Sequence, residues 1–280
     1  MVNRRNVPAL VTTSDDVMTP PPPAEAGARA REDKEYVAGL EKGLAILEAF
    51  GLRRGAMTLT EAAEITGHTR ASARRSLLTL HRLGYVDWDG KYFRMAPRTL
   101  RLGHAFVVSS PLCRMVQPVL EATTERTQES SSVAVRDGMD SVFVARAAAR
   151  RSLSDGLSMG SRLPAYCSAT GRILLSDLAD SELERALRQL PLRKLTPHTC
   201  TDVAEILRRI QHSRACGYAV CDEELELGIR SMAVPLRDQS GRIVAAMSLV
   251  AATSRYTRDA MVEQLLPYLE AGRRMVAHAV

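Results

Sequence analysis

The chain has 280 residues, 45% of them hydrophobic and 25% charged, and carries a net charge of +6. That length gives two domains room for cores of their own, and the composition is too apolar for a disordered chain. The absence of any run of eighteen apolar residues excludes a transmembrane helix, and five scattered cysteines with no C-x-x-C spacing argue against a disulfide framework or a zinc knuckle.

Residues 1–34 hold Pro20 to Pro23, many small side chains and mixed charge, and read as a disordered extension. Arg4 and Arg5 could touch nucleic acid, although a passive tail fits as well, and no apolar stretch follows them to make a secretion signal. Cytoplasmic localisation is the expectation. From Glu35, Val37, Leu40, Leu44, Leu47 and Phe50 recur at helical spacing, which predicts a first helix packed under the next two.

Thr60 to Ile65 reads as a short amphipathic helix that ends at Gly67. Thr69 is placed to cap the following helix, whose apolar face is Ala73, Leu77, Leu80 and Gly84. With an advance of about 100° per residue, Arg75 and Ser72 fall roughly opposite that face, Arg74 on its flank and Arg70 at the leading end. Tyr85–Trp88 and Lys91–Arg94 then flank Asp89-Gly90, which predicts a two-residue hairpin turn. Helix, glycine turn, arginine-bearing helix and hairpin make a winged helix-turn-helix over residues 35–96, with Lys91 and Arg94 in the wing able to reach phosphates or the minor groove. The alternative is a small helical unit whose arginines are merely solvated. Residues 34–110 hold twelve Lys/Arg against seven Asp/Glu, so the chain's basic excess sits where a DNA footprint requires it.

Residues 97–111 read as a linker helix closed by Pro111, and residues 112–280 as an effector-binding and oligomerisation domain. Val116 to Thr127 is helical in pattern, Ser132–Arg136 and Ser141–Ala145 form an antiparallel pair around Asp137-Gly138, and a strand is expected near 151–159. Ser168 caps a helix through Leu175, and further helices cover 181–190 and 202–216. Strands at 218–220, 231–236 and 243–250 precede a helix over 257–280. The order predicts an α+β sensor sheet.

Several phrases in this order resemble the isocitrate lyase regulator (IclR) family of bacterial transcription factors. They are Leu59-Thr60-Glu61-Ala62-Ala63, Leu83-Gly84-Tyr85-Val86, Leu163-Pro164 leading into Ser168-Ala169-Thr170-Gly171, Gly217 to Glu224, and Gly228 to Pro235. The resemblance implies a winged helix-turn-helix, a linker helix and a GAF-like α/β domain that binds a small aromatic or aliphatic carboxylate. It also implies a homodimer or tetramer on double-stranded operator DNA. Gly228 to Pro235 and Asp238 to Ser248 look most like the branch that regulates protocatechuate and 4-hydroxybenzoate catabolism in the β-ketoadipate pathway. The family's effector contacts fall on Ala169 and Thr170, where helix-start amides meet a carboxylate, and on Cys221, Ser231, Ser248 and Val250. Cys221 and Val250 are less polar than the glyoxylate- and pyruvate-binding pattern and suit an aromatic acid better. For each of these residues alone, ordinary core packing accounts as well as ligand contact. Arg230 alternates away from Ser231 and is not assigned to the pocket.

Two other functions compete with this reading. An enzyme would need more than Cys167-Ser168 and a distant His198 or His212, since no G-x-S-x-G elbow or carboxylate pair accompanies them. A regulator responding to another organic acid, or a DNA-binding protein that needs no ligand, stays open. No cofactor or metal is expected.

Overall fold

A computed structural model describes residues 35–52, 55–150 and 157–276. The chain divides into two compact units between Gly103 and His104. The expected extension over 1–34 and the last four residues of the C-terminal helix lie outside the described residues, as does most of the strand expected near 151–159, whose described end is not strand.

In the first unit, α1 (Ala38–Ala49) leads through a 3-10 turn (Phe50–Leu52) to β1 (Met57–Thr58). Then follow α2 (Leu59–Thr66), α3 (Arg70–Arg82), β2 (Val86–Trp88) and β3 (Tyr92–Met95). The strands pair antiparallel in the order β1-β3-β2. A capping box sets the start of α2: Thr58 Oγ1 accepts from the Glu61 amide at 3.3 Å, and Glu61 Oε2 accepts from the Thr58 amide at 2.7 Å. Gly67, with φ 65°, takes the left-handed conformation that ends α2, and Thr69 Oγ1 accepts from the Ser72 amide to begin α3. Ile46, Met57, Leu77 and Val86 form the fully buried centre of this unit's core.

Three expectations need correction here. The side of α1 that packs inward carries Ile46 and Ala49, with Phe50 buried just beyond; Val37, Leu40 and Leu44 lie on the other side, exposed. Gly84 is not part of the apolar face of α3, because the helix ends at Arg82 and Gly84 turns the chain with φ 76°. The hairpin turn is displaced by one residue: Trp88 pairs with Phe93 and the Asp89 amide donates to the Tyr92 carbonyl at 3.2 Å, so Gly90 and Lys91, not Asp89 and Gly90, stand at its tip. Asp89 accounts for it: its Oδ1 accepts from the amides of Lys91 and Tyr92, which builds the turn around a side chain.

A short 3-10 turn (Pro97–Thr99) and α4 (Leu100–Ser109) lead across the boundary. Pro111 opens the next helix rather than separating elements. It sits in the first turn of α5 (Pro111–Thr127), where a missing amide costs nothing, behind the Ser110 cap. The second unit then holds β4 (Ser130–Asp137), β5 (Asp140–Ala147), β6 (Arg162–Pro164), α6 (Ala169–Leu175), α7 (Asp180–Gln189) and α8 (Val203–Cys216). It closes with β7 (Ala219–Asp222), β8 (Ile229–Arg237), β9 (Ile243–Ala252) and α9 (Arg258–Val276).

The six strands form one antiparallel sheet in the order β6-β5-β4-β9-β8-β7. One face is apolar: Met232, Val234, Met247 and Leu249 pack against Leu120 of α5 and Leu265 and Leu269 of α9. The other face carries small side chains and is covered in part by α6, through Ala169, Ile173 and Leu174. The pairing of β4 with β5 shifts between Val133↔Ala145 and Ala134↔Phe143, so Val144 is an extra residue bulged from β5. No described helix is long and apolar enough to cross a membrane.

Candidate nucleic-acid interface and effector site

Arg70, Arg74 and Arg75 stand exposed on α3, with Thr69 exposed at its leading end. Among the described residues none of the three arginines is engaged in an ion pair. Their charge is therefore available to an outside anion, and a helix that buries Ala73, Leu77 and Leu80 while presenting cations on the opposite side has the form needed to enter a major groove.

Ser72 does not belong to that surface. It is 8% exposed, because an offset of about 100° from Ala73 leaves it on the inward flank of the helix rather than opposite the apolar face. Its backbone amide donates to Thr69 Oγ1 at 3.2 Å in the cap of α3.

In the wing, Lys91 is exposed, with its ammonium 5.0 Å from the centre of the Tyr92 ring. Arg94 is exposed too, but its Nη1 donates to Asp89 Oδ2 at 2.6 Å. The Tyr92 amide first, then Arg94 and the Lys91 amide, hold the Asp89 carboxyl at about 2, below the usual carboxylate range. Arg94 must exchange this partner to meet a phosphate, whereas Lys91 need not.

The expected effector residues come together on the small-residue face of the second unit. Cys221, Ser231, Val250 and Ser130 are paired in one row across β7, β8, β9 and β4. The next row runs Ala219, Ala233, Ser248, Ser132 and Arg146 across five strands. Cross-strand partners share a face, so Ser231 and Val250, both half-buried, lie beside Ser248, which is buried with its hydroxyl directed to the Ser132 carbonyl at 3.4 Å. Ala169 and Thr170 at the start of α6 are buried against this face, and the Thr170 and Ser141 hydroxyls are 2.7 Å apart. Ser168 already occupies two α6 amides, taking Gly171 on its hydroxyl and Arg172 on its carbonyl.

Burial pushes the Cys221 thiol up to about 12, so it stays a neutral, weakly polar group. Beside it, Arg172 and Glu224 form an ion pair at 2.6 Å, and Glu224 also meets Arg209 at 3.2 Å. Arg230 lies on the opposite face with Asp222, as strand alternation requires.

Ser132, Phe143 and Arg146 also belong to the small-residue face, and sequence spacing did not find them. A simple alternation counted along β5 from Ser141 puts Arg146 on the apolar side, and only the Val144 bulge reverses it. A groove of about 550 Å³ between α5 and residues 147–150 is a poorer place for an acid, since Glu121 and Glu125 line it beside Arg150.

Residues 39–90 match the IclR helix-turn-helix domain, and residues 104–277 match the bacterial transcriptional regulator IclR C-terminal domain. The Pca operon regulatory protein of Acinetobacter baylyi is 39% identical over 241 residues, covering 85% of this chain and 87% of that protein. The p-hydroxybenzoate hydroxylase transcriptional activator of the same organism is 37% identical over 242 residues, covering 84% and 89%. Among solved structures, an IclR homologue from Microbacterium hydrocarbonoxydans complexed with 4-hydroxybenzoate shares the fold, with a TM-score of 0.72 at 24% identity over 86% of this chain and 98% of that one. These relatives are regulators rather than enzymes. With the winged helix-turn-helix and the sheet domain each matched almost end to end, the chain belongs to the IclR family of bacterial transcriptional regulators.

Proposed function

We propose that this regulator controls an operon for the breakdown of a hydroxylated aromatic acid, binding that operon's DNA through α3 and the wing and answering to the acid at the small-residue face of its sheet. The observation that carries the reading is an exposed, unpaired arginine face on a capped α3, joined in one chain to a domain whose relatives are named for pca and p-hydroxybenzoate genes. Arg70, Arg74 and Arg75 read bases or phosphates; Lys91 and, after leaving Asp89, Arg94 hold the backbone. Ala169, Thr170, Cys221, Ser231, Ser248 and Val250 surround the effector. A floor of alanine, serine and one neutral thiol leaves room for a flat ring and supplies hydroxyls for its polar edge, as a mostly apolar site with few polar groups should.

The chain acts as a homodimer or tetramer in the cytoplasm. Tyr36, Val37, Leu40 and Leu44 form an apolar strip on the outer side of α1, more than an isolated helix leaves in water without a use. Residues 35–96 make the reader, 97–111 the linker and 112–280 the effector and assembly domain, preceded by the extension 1–34. Gel-shift titration and footprinting on DNA upstream of neighbouring catabolic genes test this. Two protected half-sites about one helical turn apart, or a multiple of it, are expected; a single unpaired half-site, or no preference over random DNA, would contradict it.

A further inference from the structure

We propose that Ser141 is a positioning residue for the effector: its hydroxyl donates to Thr170 Oγ1 and so turns the Thr170 proton onto the effector's carboxylate. The assignment rests on the aromatic-acid reading above and keeps the carboxylate at the start of α6. Ser141 lies on β5 two residues before Phe143, so alternation puts both on the small-residue face. Ala169, next to Thr170, packs in one cluster with Ala219, Cys221 and Ala233. An acid seated at Thr170 therefore stands beside the floor on which Ser231 and Ser248 lie.

Two hydroxyls bring two protons, and the 2.7 Å contact between Ser141 Oγ and Thr170 Oγ1 uses one of them. Among the described residues neither hydroxyl has a second partner. Ser141 is fully buried and Thr170 is 3% exposed, so the other proton is shut away from bulk water. A buried O–H without an acceptor is costly. Burial also divides the roles. Ser141, with no exposed surface, has only Thr170 to donate to among the described residues. Thr170 accepts, and the proton left over is its own, on the residue that carries the pair's remaining exposure. Helix α6 has seven residues and spends two leading amides on Ser168, so it makes a weak anion site unaided. A hydroxyl aimed from Thr170 adds a donor beside the amides of Ala169 and Thr170, and a hydrogen bond to an ionised carboxylate is stronger than one to a neutral group.

Calorimetry with 4-hydroxybenzoate and thermal melts of the ligand-free full chain test this. Thr170→Val, of nearly the same shape, should weaken acid binding about 10- to 100-fold, the loss of one charge-assisted hydrogen bond. Neutral 4-hydroxybenzamide should lose less. Ser141→Ala should weaken the acid about fivefold in the wild-type background, because the Thr170 hydroxyl is no longer held, and hardly at all beside Thr170→Val. The double variant removes both hydroxyls together, so without ligand it should melt at or above wild type. A merely structural pair would give the reverse, a lower Tm with acid binding intact. That reverse result, wild-type acid affinity in Thr170→Val, or an equal effect of Ser141→Ala in both backgrounds overturns the assignment and leaves the aromatic-acid reading standing. If the wild-type protein binds no hydroxybenzoate, that reading fails and the role of Ser141 fails with it.

Discussion

Replacing Glu224 by alanine should remove about 3–5 kcal/mol from the stability of the second unit, the usual cost of stranding one member of a buried ion pair. Arg172 and Glu224 are 3% and 4% exposed, so water screens neither charge. Without the carboxylate, Arg172 keeps one hydrogen bond, from Nη1 to the Val220 carbonyl at 3.4 Å. Its buried Nε has no partner among the described residues. Arg209 loses less, because it retains Glu205 at 2.6 Å in a more exposed position. In a unit of this size each kcal/mol moves Tm by about 2–4 °C, so its transition should fall by about 6–20 °C. Differential scanning calorimetry of the full chain reads this directly. The double replacement Arg172→Leu with Glu224→Leu should recover much of the loss, since two apolar side chains leave no charge to strand. An alanine variant melting within about 1 kcal/mol of wild type, or a double variant no better than the single one, would refute the reasoning.

Gly171→Ala should damage the effector site from below. A Cβ there would lie 2.2 Å from Ala165 Cα and 2.4 Å from its carbonyl oxygen, so α6 has to move away from backbone and lose the Ser168 cap. The expected cost is at least about 1–3 kcal/mol, with acid binding lost; wild-type melting and calorimetry would contradict it. Arg75→Ala should weaken operator binding by about 1–3 kcal/mol, whereas Lys91→Ala should weaken all DNA alike and flatten the salt slope by about one. Gel shifts across a salt series separate the two, and unchanged binding in both would remove their roles. At pH 8 a thiol reagent should label exposed Cys216 first and half-buried Cys200 more slowly. Cys113, Cys167 and Cys221 are buried, burial raises the pKa of the last two, and all three should react only in denaturant. Rapid labelling of all five would show that the small-residue face opens freely.

The reader was legible because its signals are local. Gly67, Thr69 and the spacing of Ala73, Leu77 and Leu80 each act within a turn or two of the chain, and helix periodicity carries them. The capping box at Thr58 and Glu61 was equally available, as Thr-x-x-Glu ahead of an apolar run, and was missed. Ser72 failed because an arginine helix invites every polar side chain onto one face, although 100° steps put it on the flank. The outer strip of α1 had the spacing of a core stripe; periodicity finds an apolar side but does not say what covers it. In the second unit the strands and the Ser168 cap were readable, and the shared face of Ser248 and Val250 follows from alternation alone. Arg146 was not readable. A bulge changes strand parity through one extra residue, and its effect exists only once β4 and β5 are paired.

The central claim is that one molecule joins DNA reading to an aromatic acid. It is tested most directly by titrating 4-hydroxybenzoate and protocatechuate into a preformed complex with fluorescent operator DNA and following anisotropy. The account predicts that one of these acids changes the operator Kd at least fivefold, in either direction, as a coupling of about 1 kcal/mol or more requires, while benzamide analogues do not. An operator affinity that neither acid changes, in protein that binds the DNA specifically, would contradict it.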